Sequence, residues 1–124
     1  MSKNDTIILK QIKQSGKALT AYEILDQTRS FGIKSPPQVY RSLTNLIGKG
    51  HVHKVESLNV FIACTHHHTN QNTVFLVCDV CKHVTELDAD VIENCSSALV
   101  KEHEFIPAQM TLEIKGLCKQ CQVA

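Results

Sequence analysis

Cys78-x-x-Cys81 and Cys118-x-x-Cys121 are two thiol pairs at the spacing of a metal-binding knuckle. Each C-x-x-C turn points its two sulfurs the same way, and two such turns complete a tetrahedral set of four thiolates. With no open position for water or substrate, that set suits a structural zinc, one per chain, whose binding adds to the folding free energy. The segment between the pairs, 82–117, is longer than a compact zinc ribbon needs and must hold real structure. Its pattern predicts a strand near His83–Glu86, a helix across Asp88–His103 and a strand through Met110–Ile114. Cys95, inside "ENCSSALV", reads as a small buried residue rather than a ligand.

A second group of donors mixes nitrogen, sulfur and oxygen: His53, Cys64, the run His66, His67 and His68, and Glu86. Such a set also coordinates zinc tetrahedrally, and its affinity is tunable because its ligands come from separate elements. The competing reading of His66–His68 is a solvated polar loop. A zinc enzyme fits less well. Nucleobase deamination calls for H-x-E with P-C-x-x-C; no histidine here has Glu two residues later, and Asp79 and Val80 follow a Cys78 that no proline precedes. The chain is expected not to be an enzyme and to have no small-molecule substrate.

The elements that must position these residues are legible around them. Asn4 or Asp5 is placed to cap a first helix carrying Ile7, Ile8, Leu9 and Ile12, which stops near Gly16. "TAYE" from Thr20 to Glu23 has the form of a capping box and opens a second helix, with Ala21, Ile24 and Leu25 inward. Gly32 breaks the chain. "SPPQ" then starts a third helix with Ser35 as N-cap, Pro36 at the first helical position and Gln38 closing the box. Val39, Leu43, Leu46 and Ile47 form its apolar stripe. Gln38, Tyr40, Arg41, Ser42, Thr44 and Asn45 are turned away from it, a polar face of the kind that meets base edges and phosphates. After Gly48 and Gly50, "HVHKVES" and "VFIAC" alternate as a hairpin around Leu58-Asn59. A two-residue turn there would set His53 opposite Cys64. Three helices and a hairpin are the order of a winged helix.

Charge divides along the same line. Residues 1–55 carry nine Lys or Arg against three acids, whereas residues 56–124 carry four against nine. A basic first half points to a polyanionic partner. With 43% hydrophobic and 20% charged residues the composition is that of a globular protein. No apolar run approaches the roughly 20 residues of a membrane span, so no membrane partner is expected. "MSKNDTIILKQIKQ" lacks the unbroken apolar core of a signal peptide. The expected location is therefore cytoplasmic, where six cysteines argue for metal before disulfides.

"SPPQVYRSL", "GHVHKVES", "FLVCDVC" and "GLCKQC", in that order, resemble the ferric uptake regulator (Fur) family. "TAYEILD", the double proline and "VHKVES" are most similar to its zinc uptake regulator (Zur) branch. The resemblance runs from about Thr20 to Cys121. It implies an α+β chain: a winged-helix DNA-binding domain over 1–64, a connector over 65–72, and a small α/β dimerisation and metal-binding domain over 73–124. It further implies a homodimer that, when metal-loaded, binds a double-stranded inverted-repeat operator and represses zinc-uptake genes. Carried over by position, Cys78, Cys81, Cys118 and Cys121 hold structural zinc. His53, Cys64 and Glu86, with one of His66, His67 and His68 (His66 or His68 favoured), hold a regulatory zinc, one per chain. Tyr40 and Arg41 match the recognition-helix "VYR", and Ser35, Gln38, Thr44 and Asn45 complete the candidate DNA-binding set. Three departures stand out. An extra helix before the first one and a His-rich tail after "CQVA" are not expected, and Gln109 stands where many relatives place a further metal-binding His beside which His103 would act. The other readings are an iron- or peroxide-sensing member of the family, or a zinc-ribbon module that binds protein or RNA.

Overall fold

The computed structural model describes residues 1–64, 73–87, 98–107 and 110–122. The chain divides into two compact units, Met1–Thr65 and His66–Ala124. Helices α1 (Lys3–Ser15), α2 (Ala21–Thr28) and α3 (Pro36–Gly48) and strands β1 (Val52–Val55) and β2 (Val60–Ala63) make up the first. Their apolar stripes meet in one core that includes Ile8, Ile12, Leu19, Ile24, Ile33, Val39, Leu43, Leu46 and Phe61. A single-residue bridge closes it: Leu19 and Phe61 exchange backbone hydrogen bonds of 3.0 and 2.8 Å. The hairpin is thereby sewn to the α1–α2 connection, completing a winged helix.

The helix signals act largely as expected. Thr20 Oγ1 accepts from Glu23 N–H at 3.1 Å and Glu23 Oε1 accepts from Thr20 N–H at 2.9 Å, the reciprocal capping box. Gln38 Oε1 accepts from the N–H groups of Lys34 and Ser35 at 2.8 and 3.2 Å, anchoring the start of α3. Gly16 ends α1 at φ 66° and Gly32 ends a one-turn 3₁₀ segment, Arg29–Phe31, at φ 98°. Both conformations disfavour residues with a Cβ.

Four expectations in this unit are corrected. The first helix starts earlier, with Ser2 as N-cap accepting from Asp5 N–H, so neither Asn4 nor Asp5 is the cap. Ile47 is 39% exposed: it lies in the last turn of α3, where Leu46 rather than Ile47 fills the core. Ser42, expected outside, is buried at 3% exposure against the α1 side. The wing turn spans four residues rather than two: Val55 pairs with Val60, and His53 with Ile62. Burying both valines outweighs forming a tight Leu-Asn turn, and Asn59 takes the one left-handed position at φ 54°.

The second unit is a three-stranded sheet, ordered β4-β3-β5, of β3 (Thr73–Cys78), β4 (Val84–Leu87) and β5 (Thr111–Gly116). The strands expected at 83–86 and 110–114 are these last two. β4 runs antiparallel to β3, whereas β5 runs parallel to it, with Cys78 opposite Gly116. A parallel return needs a crossover. Residues 98–102 within it are helical and His103 is already in the turn that follows; residues 88–97 of the expected helix, with Cys95, lie outside the described residues, as do His66–His68. No described helix is long and apolar enough to cross a membrane.

Thr20→Ala removes half of the α2 capping box. We expect it to lower the unfolding free energy by about 1 kcal/mol, read as a lower urea midpoint at unchanged slope.

Candidate metal centres and nucleic-acid interface

Parallel pairing decides where the thiols go. β3 and β5 leave the sheet at the same end, so Cys78, the last residue of β3, and Cys118, two residues past β5, emerge side by side. Each chain then turns at once, through Asp79–Lys82 with Lys82 at φ 64°, and through the 3₁₀ turn Lys119–Cys121. The four sulfurs lie within 4.8 Å of one another. Cys81 Sγ and Cys118 Sγ are 3.7 Å apart. A zinc ion with Zn–S bonds of 2.3 Å would hold tetrahedral sulfurs about 3.8 Å apart, so the cluster fits the ion.

Its electrostatics agree. Cys118 N–H donates to Cys78 Sγ at 3.5 Å. That N–H, with those of Cys81 and Val80, outweighs burial and draws the Cys78 thiol down to about 6. The crowding acts the other way on its neighbours: the thiols of Cys118 and Cys78 push Cys121 up to about 12. At Cys81 the His83 N–H lowers the pKa, but Cys78, burial and Cys118 together raise it. Four sulfurs this close cannot all ionise without a cation among them.

His53 is half-buried on β1, and Cys64 directly follows β2, its N–H donating to His51 carbonyl oxygen at 2.9 Å. The expected face-to-face pairing of His53 with Cys64 does not form, yet their ligand atoms lie within 4.8 Å. A register shift of two residues keeps every side chain on its original face, so the two meet as diagonal neighbours. An imidazole and a thiolate at this distance are half of a tetrahedral site. Glu86, on β4 of the second unit, is only 9% exposed.

On α3, Tyr40 is 44% exposed, and Arg41, Thr44 and Asn45 are exposed beside it. Thr44 Oγ1 donates to Tyr40 carbonyl oxygen at 2.9 Å, leaving its lone pairs outward. Ser35 and Gln38 are half-buried, and Gln38 is already engaged at the helix start. The sequence reading missed what lies next to this face. A cleft of about 380 Å³ between α3 and the N-terminus of α1 is lined by Ser2, Asp5, Gln38, Arg41, Ser42 and Asn45, among others. Asp5, at 2% exposure, is the deepest of them. The signal was its position: an acid on the inward face of α1, three residues past Ser2.

A winged helix with a polar α3 face, joined to a four-thiol clamp and carrying a second nitrogen–sulfur donor pair on its wing, defines a metal-binding regulator of the winged-helix class. The chain belongs to the ferric uptake regulator family, whose model matches residues 1–115. It is 34% identical over 118 residues to the zinc uptake regulation protein of Escherichia coli K12, covering 92% of this chain and 68% of that one. Holo XcZur superposes with a TM-score of 0.85 at 40% identity, over 99% of this chain and 86% of the other. A zinc uptake regulator in complex with zinc and DNA gives 0.88 at 30% identity, over 97% and 81%.

Cys118→Ala is expected to remove one zinc per chain and lower the melting temperature by well over the effect of a surface change. Because the thiols must shed protons to bind, zinc affinity in chelator competition should rise with pH through neutrality.

Proposed function

We propose that this chain is a zinc-responsive transcriptional repressor. It binds an inverted-repeat operator as a homodimer and controls genes of zinc acquisition. The observation that carries the reading is the coexistence of two donor sets with different character. One is a closed set of four thiols in the sheet unit. The other is an incomplete pair, His53 and Cys64, on the wing of the DNA-binding unit. A closed set serves folding; an incomplete one needs ligands from elsewhere and can report occupancy.

In this reading Cys78, Cys81, Cys118 and Cys121 hold the structural ion. His53, Cys64, Glu86 and a connector histidine, His66 or His68, hold the regulatory one. Bound zinc supplies a cross-link between ligands from separate elements. The Cys64 thiolate, in a set completed by imidazole and carboxylate, favours zinc over iron, which sets aside the iron- and peroxide-sensing alternatives. Shifting a DNA-competent population from 1:99 to 99:1 takes about 5.5 kcal/mol of differential binding, within the range of a well-made zinc site. By linkage, DNA tightens zinc by the factor by which zinc tightens DNA.

Residues 1–64 read DNA and 73–124 dimerise, joined by a connector at 65–72. The basic charge of the first half and the exposed face of α3 support the first role, with Arg41 forking onto guanine or clamping phosphate and Tyr40 against a thymine methyl or phosphate. One face of the sheet leaves Leu76, Leu87, Leu112 and Ile114 at 38–49% exposure, and β5 is an edge strand. Both features call for a second copy. The role is regulatory rather than enzymatic, and the working location is the cytoplasm.

A palindromic duplex titrated with the protein at fixed free zinc, ferrous iron and manganese tests the function; equal binding after chelation would refute it. Arg41→Ala should weaken operator binding by roughly tenfold to a hundredfold at unchanged zinc content. Cys64→Ala should lose one zinc per chain and the metal dependence of binding while remaining folded.

A further inference from the structure

The Asp5 carboxylate is out of place in a basic, DNA-facing unit. A negative charge beside the recognition helix repels phosphate, so its presence calls for a compensating role. Asp5 is 2% exposed, and its Oδ1 is buried without a hydrogen-bond partner. Burial pushes its pKa up, but the polar groups of Ser42, Ser2 and Asn45 around it outweigh that and hold it below the ordinary value. The group is therefore a carboxylate at neutral pH, with one oxygen still lacking a donor.

The cleft it lines offers two cations, Lys3 and Arg41. Lys3 is two residues away on the same helix, and side chains at that spacing do not face each other. Arg41 belongs to the α3 stripe Gln38, Arg41, Ser42 and Asn45, three- and four-residue spacings that turn all four toward the same cleft. A guanidinium carries five N–H donors in a fixed plane. Two suffice for the O6 and N7 of a guanine, and the others remain for a carboxylate behind it. An ammonium has no such second edge.

We propose that Asp5 is a positioning residue for DNA readout: its inward carboxylate oxygen, unpaired in the free chain, takes the Arg41 guanidinium from behind when DNA is bound and fixes the fork that faces the base. This rests on the reading of α3 as the recognition helix. Asp5 thus converts a flexible cation, able to settle on any phosphate, into a directed reader of one base pair.

The test is a double-mutant cycle in the zinc-loaded protein, on a palindromic duplex selected by that protein from random DNA and on a non-specific duplex. Asp5→Asn should weaken binding to the selected duplex about tenfold and leave non-specific binding equal or tighter, because a negative charge has been removed. In an Arg41→Ala background the same change should move specific affinity less than about twofold. Tighter specific binding by Asp5→Asn, or an equal loss in both backgrounds, overturns the positioning role while the recognition-helix reading stands. Arg41→Ala without effect overturns both. Melting temperature and zinc content accompany each variant. Asp5→Ser, which keeps a small acceptor in the first turn of α1, repeats the cycle if Asp5→Asn does not fold.

Discussion

Two thiol pairs forty residues apart meet at one point, and the second unit depends on that meeting. Its described sheet buries few apolar side chains, chiefly Val74, Phe75 and Val77. Among the described residues, that is little apolar burial for three strands. The four sulfurs, spaced for one zinc ion, tie the end of β3 to the last turn of the chain. The same clamp anchors β4 through its neighbour, since Cys78 N–H donates to His83 carbonyl oxygen at 2.9 Å. Glu86 on β4 is then held on a strand whose base is fixed by the thiol cluster, so a structural site underlies the carboxylate proposed for the regulatory one.

The first unit solves its positioning problem without metal. α3 is fixed at both ends and along its length: Gln38 binds the entering backbone, Leu43 and Leu46 sit in the core, Ser42 is buried, and His51 N–H donates to Leu46 carbonyl oxygen at 3.0 Å where the chain leaves. Its exposed side chains are therefore carried on a helix with little freedom to roll. The wing is tied to the same core through the Leu19–Phe61 bridge, so the His53–Cys64 pair shares a rigid frame with the exposed polar face of α3.

How much of this the sequence disclosed follows from the range of the interactions. Local signals were readable: the Thr20 box, the Pro36 start, the αL glycines and the C-x-x-C spacing each act within a few residues. What was missed depended on tertiary competition. The wing turn yielded to the burial of Val55 and Val60, and Ser42 turned inward because α1 lies over it. The start of α1 was misplaced because Ser2 and Asp5 both satisfy capping chemistry, and only packing reveals which one points in. The His53–Cys64 proximity was inferred from a wrong register and held because the error was an even number. Had the turn slipped by one residue, the two ligands would lie on opposite faces.

The parallel run of β3 and β5 has an architectural corollary. Since both strands deliver their cysteines to one end of the sheet, what sets the spacing of the sulfurs is the β3–β5 register and not the length of the intervening crossover. Its length and composition form a free parameter: the stretch can grow, shrink or be remodelled for a new subunit contact, while the clasp at its two feet keeps the same dimensions. A hairpin carrying the same pairs would forfeit that latitude, because there each added residue displaces one cysteine from the other.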